Sequence, residues 1–219
     1  MDRGTRVLIK GYTEVEEMEE IIKKIIELMA DVYNDLREYT TRILKPPYRS
    51  EVAENVIKLL ENPGNTYIVY YDKQPVLEFW RSPDGRVGYT SIHATTMSGD
   101  LITNGRRVPA KIIVFFKTCK YMDKPELRLC VAHELTHAAG YHEPMAERME
   151  EILTTWFKCR YHRVNHEKLC KVMTELYERG ELVDYVMDFI LGVVKNPLRF
   201  YNEIWLEAVK LAKVLTCRP

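Results

Sequence analysis

The chain holds a single glutamine, Gln74, while 29% of its residues are charged. Loss of a thermolabile amide beside enrichment in charge is the composition of thermophilic proteins. Charge of one sign is also missing. Lysine plus arginine and aspartate plus glutamate stand at 32 each, so no overall field draws the chain to nucleic acid or to an anionic membrane. The basic clusters Arg106-Arg107 and Arg160 to Arg163 are short and read as solvated surface. Five cysteines (119, 130, 159, 170 and 217) form no Cys-x-x-Cys pair, which excludes a cysteine-ligated zinc knuckle. Their odd number excludes a complete internal disulfide framework. Long hydrophobic runs are absent as well. Met1 to Tyr12 has no apolar stretch of signal-peptide length, and Leu182 to Val194 is broken by Asp184 and Asp188 and is too short for a bilayer. These absences imply a soluble, cytoplasmic chain with no membrane partner.

What is there is 46% hydrophobic content in 219 residues, enough for one sizeable core. Between 14 and 44, Met18, Ile21, Ile22, Ile25, Ile26, Met29 and Val32 recur with helical period, and Pro46-Pro47 ends the run. A shorter helix over 49–61 stops at Asn62-Pro63-Gly64. The texture then changes: 66–71, 76–80 and 86–92 are rich in aromatic and β-branched residues. Asp72-Lys73-Gln74-Pro75 and Ser82-Pro83-Asp84-Gly85 separate them as turns, which predicts an antiparallel meander. A polar connection through Ser98-Gly99-Asp100 and Asn104-Gly105 leads to a strand at 111–116. After Pro144 the chain reads as helical nearly to its end, with breaks near His162 to Asn165, Gly180 and Asn196-Pro197. The reading is one α+β domain over 1–219, with a core at about 14–158 and a helical extension at about 159–219.

One stretch carries chemistry: His133-Glu134-Leu135-Thr136-His137. Residues four apart share a helix face, so both imidazoles can meet one metal ion. Glu134 is offset by one residue, within reach of a metal-bound water without being a ligand. The physical meaning of the pattern is a zinc ion that activates water. The surroundings predict the helix it needs, over about 124–139. Asp123 caps, Pro125 fits the first turn, Leu127, Val131, Leu135 and Ala138 form a core-facing stripe, and Gly140 stops it. The stripe is not the face of the two histidines.

The motif, the strand ahead of it and the Gly140 stop resemble the zincin metallopeptidases. His133 to Glu143 is similar to the metzincin signature H-E-x-x-H-x-x-G-x-x-H through its first eight positions. The last histidine of that signature falls at 143, where this chain has Glu143, with His142 one residue early. The other resemblance is to the small gluzincins, whose third ligand is a glutamate on the following helix. If the chain reverses near 140–144, a helix over 144–158 runs back beside the first, and Glu147 comes level with His137. Glu147 is therefore the expected third ligand, with His142 and Glu143 next, and Glu150 or Glu151, level with His133, behind them. The resemblance implies a zincin-like fold over about 14–158, a zinc ion, and hydrolysis of peptide or protein substrates with Glu134 as general base. Tyr141, His142, Tyr161 and His166 are the candidate oxyanion donors, and the strand at 111–116 is the candidate edge for substrate backbone.

Other features have simpler explanations. His162 and His166 repeat the four-residue spacing but straddle Asn165, which reads as a helix cap. His93 reads as a packed or turn histidine. The tyrosines of 67–89 suit a half-buried sheet better than a stacking platform for bases. Two further functional classes stay open: a catalytically silent zinc-binding or regulatory module, and a DNA-associated protease guided by its extension.

Overall fold

The structure is a computed structural model that describes residues 5–10, 15–71, 74, 76–81, 83, 87–103 and 106–160, with 171, 172, 174, 175, 178 and 179. In chain order these form strand β1 (Thr5–Lys10), helices α1 (Val15–Glu38) and α2 (Glu51–Glu61), and strands β2 (Thr66–Tyr71), β3 (Val76–Arg81), β4 (Val87–Ser91), β5 (Ala94–Thr103) and β6 (Arg106–Phe116). Helices α3 (Lys124–Ala138) and α4 (Glu143–Phe157) complete them. The class is α+β, as the alternation of patterns predicts. The expected helical extension lies outside the described residues, apart from 159, 160 and the scattered positions up to 179. No helix among the described residues is long and apolar enough to cross a membrane.

The strands make a mixed sheet in the order β1-β2-β6-β5 and a separate β3-β4 hairpin. β2 lies parallel to both β1 and β6, whereas β5 and β6 are antiparallel. Two expectations change here. Of the three aromatic segments only the second and third pair with each other, while the first joins the main sheet. The strand at 111–116 is not an edge, because β6 is paired on both sides. Its unbroken apolar run from Ile112 to Phe116 is buried throughout, which is what a strand covered on both faces requires. The edge is β5, whose polar composition (Thr95, Thr96, Ser98, Asp100) reads in the sequence as a connection.

The helices pack on one face of this sheet. Ile21, Ile22, Ile25, Leu28, Met29, Val32 and Leu36 of α1 share a core with Val52, Ala53, Val56 and Ile57 of α2, and with Ile68, Tyr70, Ala94, Ile113 and Phe115 of the sheet. Ile26 falls off the α1 stripe and is exposed. α3 runs through the middle, touching α1, α2, α4, β5 and β6. Its expected stripe, Leu127, Val131, Leu135 and Ala138, is fully buried, and so are Leu129, Ala132 and Thr136. Its histidine side is partly open to solvent, as are Lys124, Pro125 and Arg128 near its start.

Candidate metal centre

The helix that presents the histidines is built as its sequence dictates. Asp123 caps it by accepting from the Glu126 N–H at 2.8 Å, with Pro125 in the first turn. Gly140 ends it with φ +99°, a conformation that residues with a side chain rarely adopt. The chain then reverses within three residues and begins α4 at Glu143. This tight turn sets the second carboxylate-bearing helix directly against the first.

Three side chains converge. His133 Nε2 and His137 Nε2 are 3.0 Å apart, and the Glu143 carboxylate lies 3.3 Å from the first and 3.2 Å from the second. A tetrahedral ion with bonds of about 2.05 Å separates its ligand atoms by about 3.3 Å, so the three fit one zinc ion and leave a fourth position open. Both rings are oriented from behind. His133 Nδ1 donates to Glu150 Oε1 at 2.7 Å, and His137 Nδ1 donates to the Tyr141 carbonyl at 2.9 Å. Carboxylate and carbonyl are acceptors, so each Nδ1 carries the hydrogen and each Nε2 presents a lone pair. In the neutral rings two lone pairs then face each other at 3.0 Å, a contact that a shared proton or a cation between them would relieve. A carboxylate or carbonyl behind each ring is the support that metal-bound histidines use.

The electrostatics agree. Burial works to keep the His133 ring neutral, but the Glu150 hydrogen bond and the charges of Glu134, Glu150 and Glu143 outweigh it and raise its pKa. Three acids thus surround two imidazoles. Glu134 itself is only 5% exposed, and burial raises its pKa against the opposing hydrogen bond from Thr96 and the nearby histidines. A carboxylate shifted towards neutrality is a better match for taking up a proton. Cys130, one turn before these residues, has its pKa raised by a hydrogen bond with Cys119 and by burial, which favours the thiol over the thiolate.

The cluster opens into a cleft of about 630 Å³ between α3 and β5, lined by His133, Glu134, His137, Tyr141, His142, Glu143 and, from the strand, Ala94, Thr95, Thr96 and Ser98. Glu147, the expected third ligand, stands outside the cluster. It is exposed and lines a different groove with Tyr39, Glu151 and Trp156. The reason is the length of the reversal: α4 starts at Glu143, so its first residue already abuts both histidines. Glu150 does come level with His133, as the antiparallel pairing predicts, but meets Nδ1 rather than the Nε2 side. Glu151 pairs with Arg148 on the surface at 2.5 Å. His142 is exposed at the cleft mouth. Tyr141 lines the cleft, its hydroxyl accepting from Asn55 Nδ2 at 2.6 Å. Tyr161, His162 and His166 lie outside the described residues. His93 is a packed residue as expected, bonded to Thr118 Oγ1 at 2.9 Å.

Sequence reasoning misses Thr96. Its hydroxyl lies 2.7 Å from Glu134 Oε2 and 3.0 Å from the Glu134 carbonyl. The signal for it is the Ala94–Thr96–Ser98 alternation, which puts Thr96 on the helix-facing side of β5, opposite Ile113 of β6. Compared with family models, curated proteins and solved structures, the chain matches none.

Proposed function

We propose that the protein is a zinc-dependent peptidase of zincin type, with His133, His137 and Glu143 as zinc ligands and Glu134 as general base. One observation carries the reading: two Nε2 atoms 3.0 Å apart, each ring fixed by a partner at Nδ1, meet a carboxylate at 3.2–3.3 Å in a cleft that also holds a buried glutamate. A zinc ion held there supplies Lewis-acid polarisation of the scissile carbonyl and lowers the pKa of water. Glu134 takes the proton of the attacking water and passes it to the leaving amine. Glu150 and the Tyr141 carbonyl hold the imidazoles in the tautomer that ligation needs. β5 borders the cleft and, among the described residues, pairs only through β6, so its other edge is open to an extended peptide. The free thiols Cys119, Cys130 and Cys159 accord with a cytoplasmic setting.

The presence of Glu134 in the cleft favours hydrolysis over a silent zinc module, which has no use for a base. The test is Glu134→Gln, assayed for bound zinc by plasma mass spectrometry and for cleavage of a pool of internally quenched peptides. Zinc should stay at one per chain while hydrolysis falls about 100- to 10,000-fold. Cleavage at the parental rate by a zinc-loaded variant would remove Glu134 from the mechanism.

A further inference from the structure

Glu134 has two carboxylate oxygens with different surroundings. Among the described residues its carboxylate receives one hydrogen bond, from Thr96 Oγ1 to Oε2 at 2.7 Å. The same hydroxyl lies 3.0 Å from the Glu134 carbonyl, but it has one hydrogen to give. The charged carboxylate is both the closer and the stronger acceptor. Thr96 is β-branched and sits in a strand, where its χ1 is restricted, so the hydroxyl is held rather than free to rotate away. Its strand is pinned to β6 through the Thr96–Ile113 register. The donor to the base thus comes from the sheet, while the base comes from α3.

We propose that Thr96 is the positioning residue of the general base: its hydroxyl fixes Oε2 of Glu134 and so presents Oε1 to the water. This rests on the peptidase reading. It also ties the base to β5, the strand whose open edge borders the cleft.

The test compares Thr96→Val, which keeps the shape and loses the hydroxyl, with Thr96→Ser, which keeps the hydroxyl. Thr96→Ala, which loses the hydroxyl without adding bulk, runs in parallel in case valine is not accommodated. Each zinc-loaded variant is assayed on the best-cleaved peptide of the pool, and the position of the Glu134 side chain is read from crystal structures. The valine and alanine variants should bind zinc one to one with KM unchanged, while kcat falls about 10- to 100-fold, the usual effect of removing a supporting partner. Serine should restore kcat, and Glu134 should leave its position only in the two variants without a hydroxyl. An unchanged kcat and an unmoved Glu134 in valine and alanine variants, with an active parent, would overturn the role of Thr96 alone. Loss in serine equal to that in valine would assign Thr96 to packing. A zinc-loaded parent that cleaves nothing would overturn the peptidase reading and, with it, this one.

Discussion

α3 carries two clusters of charge, one at each end, and they are built on opposite plans. Near its start, Lys124 meets Asp31 at 2.9 Å and Arg128 pairs with Asp35, joining α3 to α1. Lys24 of α1 adds a bond to the Met122 carbonyl at 3.2 Å. There, Asp31 and Asp35 each face a basic side chain of α3. Near its end, Glu134, Glu143 and Glu150 surround His133 and His137, with no lysine or arginine paired to them among the described residues. The first arrangement is what a fold uses to join two helices, since an unmatched charge in a half-buried place costs more than a matched one returns. The second leaves its acids without such partners, and the proposed zinc ion would meet them. The contrast separates a structural ion pair from a site more clearly than burial or residue type does.

Mutations that unbalance each cluster should therefore act on different observables. The largest effect belongs to Glu143. Glu143→Gln should weaken zinc binding by more than the 10- to 100-fold typical of a supporting residue, whereas Glu147→Gln should leave it unchanged, both read by competition with a zinc chelator. Equal loss in the two variants would erase the distinction between them. Next comes Glu150→Ala, which removes the acceptor behind His133. Zinc affinity should drop about 10- to 100-fold without a comparable loss of thermal stability.

The other cluster should respond in stability and not in zinc. Arg128→Ala leaves Asp35 without its partner and should cost about 3 kcal/mol by urea unfolding, with zinc stoichiometry intact. The smallest effect is on pH dependence. Burial pushes the Asp35 carboxyl up from 3.8 to about 6, against the pull of Arg128. A folded-state value above the unfolded one means that the folded chain holds the proton more tightly. The contribution of Asp35 is then fully present below about 4 and is lost as pH rises through about 6. Asp35→Asn should flatten that part of the stability profile. A variant that keeps the parental slope between those values would assign it to another group.

How much of this is legible in the sequence follows the range of the interactions. The α3 helix, its Asp123 cap, its Gly140 stop and its buried stripe are local features, and the sequence reads all of them. His133, Glu134 and His137 share one helix and come together for the same reason. Glu143 ranks behind Glu147 in the sequence because its place depends on how many residues the reversal takes, and one turn of α4 separates the two. The level of Glu150 with His133 is readable from antiparallel pairing, but not which nitrogen it meets. β5 is the least legible element. An edge strand facing a cleft carries polar side chains, and Ala94 to Thr103 has the composition of a loop. Thr96 was hidden with it.

The proposed zinc ion sits where the two Nε2 atoms and Glu143 converge. The direct measurement is anomalous diffraction at the zinc edge from crystals of the zinc-loaded chain. One peak is expected, within about 2.0–2.2 Å of His133 Nε2, His137 Nε2 and a Glu143 oxygen, with Glu150 and the Tyr141 carbonyl still on the Nδ1 atoms. A peak bound through Nδ1, a peak ligated by Glu147, or no peak between the histidines would contradict it.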